Sequence, residues 1–479
     1  MKICLIADLH IPETEGTVQY RVLDWALEDA REKHADLIVF VGDFSANGSI
    51  GAVRYFQEKI NGFEIPIMII TGNSDLRTKS TVDYISTLAS CPLFEQEGNR
   101  IIGLMDGNGC ISEEIYRLLD SADGKTIVCG HHPFQSLRQP HGDRMTQWRE
   151  NHPDTVFFYG HLHVSKQIDA FTWSLPAADP DKAVGENPSI SYFDTQTRTY
   201  EKSFFECPVP EDFVDWIGIS CLHPLTDIPY AIEHKISHIE VRDGVSRNQE
   251  TILPLLRQWR DVGGKTLSIH GPEIAAWEHD ALCLPRWDSF VEFCAEAAVD
   301  RVTLHVPKIP VYAASDGVLH EIAAFIGEQF RNLPKRISIG IENMHMTEKD
   351  QPDESRRFGY VPEEVLRFTQ ILKEHTTHSV GVHLDVGHAR NNAPYSQHYP
   401  ISSWYRIVGT EVNGYHIHQV ILTEYGMENH MPITDWYGHL ISYGSFFREW
   451  MDGTLRKAPV FLEIRPERGY EAALNLLGK

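Results

Sequence analysis

The chain repeatedly places an acidic or histidine side chain at the end of a short apolar run. The clearest case is Val380–His388, with the sequence VGVHLDVGH. Its apolar residues predict a buried strand that enters a turn, with Asp385 at the tip and His388 three residues further on. A carboxylate and an imidazole at the mouth of a buried strand are a natural pair of metal ligands. A single pair is more often a helix cap and a histidine bonded to backbone, so the recurrence of the pattern decides between the two interpretations.

The same pattern occurs five times in the first third of the chain. The runs are 2–10 (KICLIADLH), 37–43 (LIVFVGD), 65–75 (IPIMIITGNSD), 126–133 (TIVCGHHP) and 155–163 (TVFFYGHLH). Each predicts a buried strand ending in Asp, Asn or His, usually beside a glycine that lets the backbone turn sharply. Five such ends in succession are hard to explain by packing. They suit two neighbouring cations, which need a bridging carboxylate with imidazole and oxygen ligands, and which polarise a phosphoryl group and generate a hydroxide near neutral pH.

After a short linker at 204–213, strands and helices alternate. Apolar strand candidates lie at 216–221, 238–242, 266–270, 301–305, 337–342, 380–385, 414–418 and 460–463. Helix-compatible segments such as 251–259 and 362–373 separate most of them. The alternation predicts a (β/α)8 barrel over residues 214–479, with its active site at the C-terminal ends of the strands.

The histidines and acids of this second part fall at those strand ends. They are His270, His305, Glu342, Asp385, His388, His416, Glu428, His430 and Glu463. Burying so many ionisable groups without a metal would be costly, so we predict a metal site at the barrel mouth. His416 and His418 share a strand face, so either can be the ligand and the other its support. We interpret His383 as a supporting or core histidine.

Residues 1–205 resemble the calcineurin-like metallophosphoesterase family, whose motifs run D-x-H, G-D, G-N-H-[DE], H-x-P and G-H-x-H. All five occur here in order, the third with Ser74 in place of its histidine. The resemblance implies an α/β sandwich of two mixed sheets flanked by helices, holding two divalent metals (Mn, Fe or Zn). It assigns Asp8, His10 and His163 to one metal, Asn73, His131 and His161 to the other, and Asp43 to the bridge.

Two details of this assignment depend on the family pattern. His131 is preferred to His132 because the family ligand usually lies two residues before the proline. The family histidine at position 74 is usually assigned to transition-state stabilisation or leaving-group protonation. With Ser74 there, we assign no catalytic side chain besides the proposed metal-bound hydroxide.

Residues 214–479 resemble the superfamily shared by endonuclease IV-type AP endonucleases and xylose-isomerase-like sugar isomerases and epimerases. The isomerases typically use two glutamates, an aspartate and a histidine around one or two metals. The endonuclease type adds histidines, a D-x-x-H pair and a D-x-H loop, and binds three zinc ions. Asp385–His388 fits D-x-x-H, and Glu428 stands where the loop aspartate would be. The larger ligand set implies up to three metals, with zinc expected, and favours hydrolysis over isomerisation.

Composition and charge restrict the partners. The net charge of -24 repels polyanions at long range, and the loop GPEIAAWE after His270 is acidic and apolar. A small phosphorylated substrate (sugar, polyol or nucleotide ester) is therefore favoured over nucleic acid. The absence of a membrane-length apolar run or signal peptide, with 8 scattered cysteines and no Cys-x-x-Cys pair, predicts a cytoplasmic protein that is not attached to membranes.

We therefore expect a bifunctional metal-dependent phosphoesterase. The N-terminal site would hydrolyse a phosphodiester or cyclic phosphate of a small molecule, and the barrel would hydrolyse the resulting phosphate ester. One alternative makes the barrel a sugar (phosphate) isomerase or epimerase in which Glu342 and Glu463 shuttle protons. A second makes the chain a DNA-processing nuclease of AP endonuclease type. A non-enzymatic role, in which one domain regulates the other, is disfavoured by complete ligand sets in both parts.

Overall fold

The computed structural model describes residues 1–89, 91–242, 249–347, 350–424 and 426–479. They form two compact units. The first contains Met1–Pro208 and Trp436–Arg448, and the second contains Val209–Asp435 and Glu449–Lys479. The grouping of 436–448 with the first unit is not predicted by the sequence pattern. Among the described residues, no helix is both long enough and apolar enough to cross a membrane.

The described residues of the first unit form two mixed sheets. Their strands are β1 (Lys2–Ile6), β2 (Leu37–Val41), β3 (Ile67–Ile70), β4 (Leu93–Gln96), β5 (Asn99–Gly103), β6 (Thr126–Gly130), β7 (Val156–Tyr159), β8 (Lys166–Asp169), β9 (Thr172–Ser174), β10 (Ser189–Asp194) and β11 (Thr199–Phe204). The helices are α1 (Val18–Glu32), α2 (Ile50–Ile60), α3 (Val82–Leu88), α4 (Glu113–Asp120) and α5 (His141–Asn151). One sheet has the order β11-β10-β1-β2-β3 and the other β4-β5-β6-β7-β9-β8. The neighbours β1, β2 and β3, and likewise β5, β6 and β7, run parallel, so their terminal side chains collect at one edge of each sheet.

The alternation of side chains along the strands builds the layers of this unit. In β1, Ile3 and Leu5 belong to a core between the two sheets, whereas Cys4 and Ile6 belong to a core shared with α1 and α2. A further core packs the second sheet against α4 and α5 and includes Trp148. The order helix, sheet, sheet, helix confirms the predicted α/β sandwich.

The second unit is built around a closed barrel. Its strands are β12 (Ile217–Cys221), β13 (His238–Arg242), β14 (Thr266–His270), β17 (Arg301–His305), β18 (Ser338–Glu342), β19 (Val380–Asp385), β20 (Val412–Ile417) and β23 (Val460–Leu462), with β15 (Ala276–Glu278), β16 (Ala281–Cys283), β21 (Gln419–Thr423) and β22 (Gly426–Met431) outside it. Neighbouring barrel strands are parallel all the way round. The barrel strands coincide with the predicted apolar runs, which confirms the (β/α)8 barrel.

In the described part of the chain, helices and two hairpins connect the barrel strands. The helices are α6 (Pro224–Glu233), α7 (Gln249–Asp261), α8 (Asp288–Glu296), α9 (Asp316–Phe330), α10 (Pro362–His375), α11 (Val386–Arg390), α12 (Ile401–Val408), α13 (Gly444–Met451) and α14 (Glu471–Leu476), and the first part of α13, up to Arg448, groups with the first unit. Strands β15 and β16 form one hairpin, and β21 and β22 form the other. The second hairpin follows β20 directly, so its return strand carries His430 back to the C-terminal end of the barrel.

A matched pair of glycine substitutions tests the packing of the barrel strands. A Cβ at Gly218 in β12 would lie 2.1 Å from the carbonyl oxygen of His238 in β13, so the two strands would have to separate. We expect Gly218→Ala to lower the free energy of unfolding by about 1–3 kcal/mol in urea denaturation. The control is Gly317→Ala in α9, where the added Cβ would meet no described atom within 4 Å beyond its own helix backbone. It should be neutral or stabilising by up to about 1 kcal/mol, and equal destabilisation by both would contradict this packing.

Candidate metal centres

Ligand atoms from the two sheets of the first unit meet at the C-terminal ends of their parallel strands. Asp8, His10 and His163 form one group in which the ligand atoms all lie within 4.8 Å of one another. His163 Nε2 is 3.5 Å from Asp8 Oδ1 and 3.4 Å from His10 Nε2. His163 is more than 150 positions from Asp8 and His10 in the sequence, and the fold brings it to them.

Asp43 lies between this group and a second one. Its Oδ2 is 3.8 Å from His10 Nε2 and 3.5 Å from His131 Nε2. His131 Nε2 is in turn 3.1 Å from Asn73 Oδ1, and the His131 and His161 rings are 5.1 Å apart between centroids. A carboxylate that bridges two cations needs a position between two ligand groups, and Asp43 has it.

The adjacent histidine His132 is bonded to Asp106. Asp106 accepts the backbone N–H of His131 (2.7 Å) and of His132 (2.8 Å), and its Oδ2 is 3.3 Å from His132 Nδ1. His132 still lies near the cluster, in a group with His131 and His161. Asp106 is not among the predicted site residues, although it also follows an apolar run, in IIGLMDG at 101–107.

Ser74 anchors the central carboxylate. Its N–H donates to Asp43 Oδ1 (2.7 Å), and its hydroxyl donates to Asp43 Oδ2 (2.9 Å). The next residue, Asp75, accepts from Ser45 and Gly72. Burial and the Asp43 charge raise the pKa of Asp75 to about 7. Ser74, in the segment after β3, therefore fixes the Asp43 carboxylate, although position 74 lacks the family histidine.

The backbone of this site is strained. Left-handed conformations occur at Asp8 (φ 53), His10 (φ 47), Asp43 (φ 50), His161 (φ 69) and His163 (φ 60). Each costs of order 1–3 kcal/mol in a non-glycine residue, and such residues cluster at functional sites. Gly72, beside the Asp43 carboxylate, is needed for a reason other than the sharp turn that the sequence predicts. A Cβ at Gly72 would lie 2.2 Å from Asp43 Oδ1, so glycine is needed there for space.

In the barrel, Glu342 occupies the central position. Its Oε2 is 3.3 Å from His270 Nε2 and 3.7 Å from His305 Nε2. Its Oε1 is 3.3 Å from His416 Nδ1 and 3.4 Å from His388 Nδ1. Glu342 thus joins residues from the third, fourth, sixth and seventh barrel strands and their following turns.

The described residues contain a four-member group around His416, composed of Glu342, Asp385, His416 and Glu463. His416 Nδ1 is 3.8 Å from Asp385 Oδ2 and 3.3 Å from Glu463 Oε2. His430 also reaches this group, because its Nδ1 is 3.3 Å from Glu463 Oε2. His416 therefore contacts three carboxylates at the barrel mouth.

The second histidine of the seventh strand and the hairpin acid occupy different environments. His418 is buried, with Nε2 3.2 Å from Asp385 Oδ1, in a group with Asp385 and His430. Glu428 is exposed, and its Oε1 is 3.5 Å from the Thr423 hydroxyl. The hairpin register pairs Glu428 with Ile421, which is also exposed. The sequence predicts Glu428 as a metal ligand, but the structure does not bring it to the ligand cluster.

Glu240 is a site residue that the sequence analysis missed. It is fully buried in β13, and its Oε1 lies 2.5 Å from His416 Nε2. The predicted acids lie at the ends of strands, whereas Glu240 lies in the middle of the run HIEVR. Only the closed barrel shows that its side chain points inward to His416.

Buried atoms without hydrogen bonds indicate what both clusters would bind. Within the described part of the chain, the buried oxygens Asp8 Oδ1, Glu342 Oε2, Asp385 Oδ2 and Glu463 Oε2 each lie 3.3 to 3.5 Å from a histidine nitrogen, but none of them accepts a hydrogen bond of good geometry. A buried oxygen in this state is costly, and metal ligation removes the cost. Burial also lowers the pKa of His388 to about 3, which keeps the neutral form that ligates metals. The donor sets therefore fit divalent metals.

Comparison with known proteins agrees with the geometry of the first unit. Residues 1–165 match the model of the family described as calcineurin-like phosphoesterase, which confirms the predicted N-terminal resemblance. A Fibrobacter succinogenes protein named "Probable cyclic nucleotide phosphodiesterase" is 27% identical over 146 residues, or 28% of this chain and 57% of that protein. The chain thus spans little more than half the length of this relative.

Solved structures resemble the two parts separately. A D-tagatose 3-epimerase-like protein covers 55% of this chain and 95% of its own, with 18% identity and a TM-score of 0.38. A xylose isomerase domain protein from Alicyclobacillus acidocaldarius covers 55% of this chain and 97% of its own, with 14% identity and a TM-score of 0.38. A dimetal phosphatase from Danio rerio covers 40% and 92%, with 14% identity and a TM-score of 0.28. Likeness at this level carries no functional conclusion.

Substitutions in the β21–β22 hairpin test whether Glu428 or His430 serves the barrel site. We expect His430→Gln to weaken zinc binding at least about tenfold, because it removes a buried imidazole beside Glu463. Glu428→Gln should leave zinc binding unchanged, because this carboxylate faces solvent. The zinc retained per chain after dialysis against a weak chelator measures both. Loss of zinc in the Glu428 variant alone would show that this acid is a ligand after all.

Proposed function

We propose that the N-terminal unit hydrolyses a phosphodiester or cyclic phosphate of a small molecule. The observation that carries the proposal is the position of Asp43 between two groups of ligand atoms. The residues that would hold two divalent metals are Asp8, His10, Asp43, Asn73, His131, His161 and His163. The family match and the name of the Fibrobacter relative support the same reaction class.

The chain's own residues restrict how this reaction proceeds. Metals bound here would supply Lewis-acid polarisation of a phosphoryl oxygen and an activated water. Position 74 has a serine and therefore no imidazole, and the Ser74 hydroxyl donates a hydrogen bond to Asp43. The site therefore lacks the family's usual proton donor for the leaving group. We accordingly expect substrates whose leaving groups need little protonation to react fastest.

We infer that the barrel hydrolyses the phosphate ester released by the first reaction. The supporting observation is the additional group formed by His270, His305 and Glu342 beside the four-member group around His416. Isomerisation would need only the four-member group, whereas hydrolysis of the endonuclease IV type uses both. Up to three metals, with zinc expected, would be held by the residues of these two groups together with His388 and His430.

A sugar isomerase or epimerase is the second candidate for the barrel. The four-member group contains two glutamates, an aspartate and a histidine, which is the isomerase composition. The exposure of Glu428 also removes one acid from the larger hydrolytic set. In this case Glu342 and Glu463 would transfer protons at a carbon centre.

The proposed substrate of both sites is a small phosphorylated molecule, and the proposed location is the cytoplasm. The 67 acidic residues outnumber the 43 basic ones, which disfavours a polyanionic partner. All 8 cysteines are free, as expected in a reducing compartment.

The phosphodiesterase proposal is tested with bis(p-nitrophenyl) phosphate and the full chain. We expect hydrolysis that requires a divalent metal and is abolished by a chelator. Asp43→Asn should lower kcat by roughly 10²-fold or more, because the carboxylate between the two ligand groups loses its charge. The matched control is Glu342→Gln, which neutralises the central acid of the barrel and should leave this activity intact. Equal loss in both variants would contradict two independent sites.

Solvent deuterium separates the two candidates for the barrel. Sugar phosphates are incubated with the full chain carrying Asp43→Asn in D2O. A hydrolytic barrel should release inorganic phosphate without placing deuterium on carbon, because hydrolysis breaks no C–H bond. An isomerase or epimerase should place deuterium on the carbon next to the carbonyl. Mass spectrometry of the sugar and a phosphate assay report both outcomes, and carbon-bound deuterium without phosphate release would refute hydrolysis.

A further inference from the structure

We propose that Glu240 is the positioning residue of the barrel centre, fixing the His416 ring so that Nδ1 faces the ligand carboxylates. This inference rests on the barrel metal site proposed above. Glu240 would not touch the metal or the substrate. It would act through His416 alone.

The two nitrogens of His416 point in opposite directions. Nε2 lies 2.5 Å from Glu240 Oε1, whereas Nδ1 lies 3.3 Å from Glu342 Oε1 and 3.3 Å from Glu463 Oε2. An imidazole nitrogen bonded to a carboxylate must carry the proton, because the carboxylate only accepts. Nδ1, which faces the two ligand carboxylates, would give up its own proton on metal binding and present its lone pair to the metal, while Nε2–H stays bonded to Glu240. A carboxylate that fixes the tautomer of a histidine ligand in this way also raises its basicity.

Glu240 is itself fixed by residues of two other barrel strands. Its Oε2 accepts hydrogen bonds from the Ser268 hydroxyl (2.7 Å) in β14 and the Thr303 hydroxyl (2.7 Å) in β17. Arg301 Nη1 lies 3.9 Å from the same oxygen. Both carboxylate oxygens are thus engaged, and the side chain has no freedom to turn towards the barrel mouth.

Arg301 extends this network across the barrel interior. Its guanidinium is buried and bonds Ser268, Thr303, His383 and Asn413 at distances of 3.0 to 3.3 Å. Barrel interiors are normally filled by branched apolar side chains. Replacing a buried charge network with apolar residues is often neutral or stabilising, so packing alone does not explain this layer. A role in holding Glu240, and through it His416, accounts for this polar layer.

Cobalt binding tests the proposal in the full chain. Asp8→Asn and Asp43→Asn are combined as a background that removes both carboxylates of the N-terminal centre. Co(II) is titrated into this background against a competing chelator, with the visible absorption of the bound ion recorded. We expect Glu240→Gln to weaken binding about 10- to 100-fold and to change the absorption spectrum, while far-UV circular dichroism stays the same.

Glu364→Gln is the matched control. Glu364 is also held by several hydrogen bonds, from Arg356 (2.6 and 3.0 Å) and from the Gly359 N–H (2.7 Å), but it contacts no ligand named here. This variant should lower thermal stability without changing cobalt affinity or spectrum. Unchanged affinity and spectrum in Glu240→Gln would overturn the proposal. If the background itself binds no cobalt, the barrel metal site fails, and this inference fails with it.

A second variant covers the case in which Glu240→Gln does not fold. Ser268→Ala combined with Thr303→Val removes the two hydroxyl donors but keeps the Glu240 charge. We expect a several-fold weaker cobalt affinity with a shifted spectrum, because Glu240 is then held less firmly against His416. Binding equal to that of the background would contradict a positioning role.

Discussion

Each unit depends on one buried carboxylate surrounded by imidazoles. Asp43 and Glu342 are both buried, and each lies between two groups of ligand atoms. A buried negative charge needs a positive partner. Burial lowers the pKa of His131, but Asp43 and Asp8 outweigh this and raise it to about 9. Without metal, a protonated His131 can therefore offset the carboxylates of the first unit. Metal binding there would displace this proton, so metal uptake would be coupled to proton release.

The two centres are built by different means. In the first unit five of the seven candidate ligands adopt left-handed backbone conformations, and glycines make room for the carboxylates of Asp8 and Asp43. The strain is stored locally, at the turns that follow the strands. In the barrel, His430 is the ligand candidate with a left-handed backbone (φ 60). There the candidate ligands lie on or directly after regular strands, and one of them, His416, bonds the buried Glu240. Rigid strands reduce the need for backbone strain.

Much of this architecture could be predicted from the sequence, because apolar strands that end in an acid or histidine are a local pattern. Glu342 and Asp385 follow that pattern, and parallel strands bring such ends together. Glu240 could not be predicted in this way, since its role depends on two other strands that close the barrel around it. The position of Glu428 depends on the register of a hairpin, which the ligand motif does not specify. The grouping of 436–448 with the first unit likewise depends on tertiary contacts.

Anomalous X-ray diffraction from crystals grown with zinc or manganese tests most directly whether these buried clusters are metal centres. Data collected on both sides of the metal absorption edge should show peaks beside Asp43 and beside Glu342. The peaks should lie within coordination distance of the ligand atoms, about 2.0–2.3 Å from nitrogen and oxygen. The absence of a peak at both positions at full metal load, with the histidines bonded directly to the carboxylates, would contradict the account.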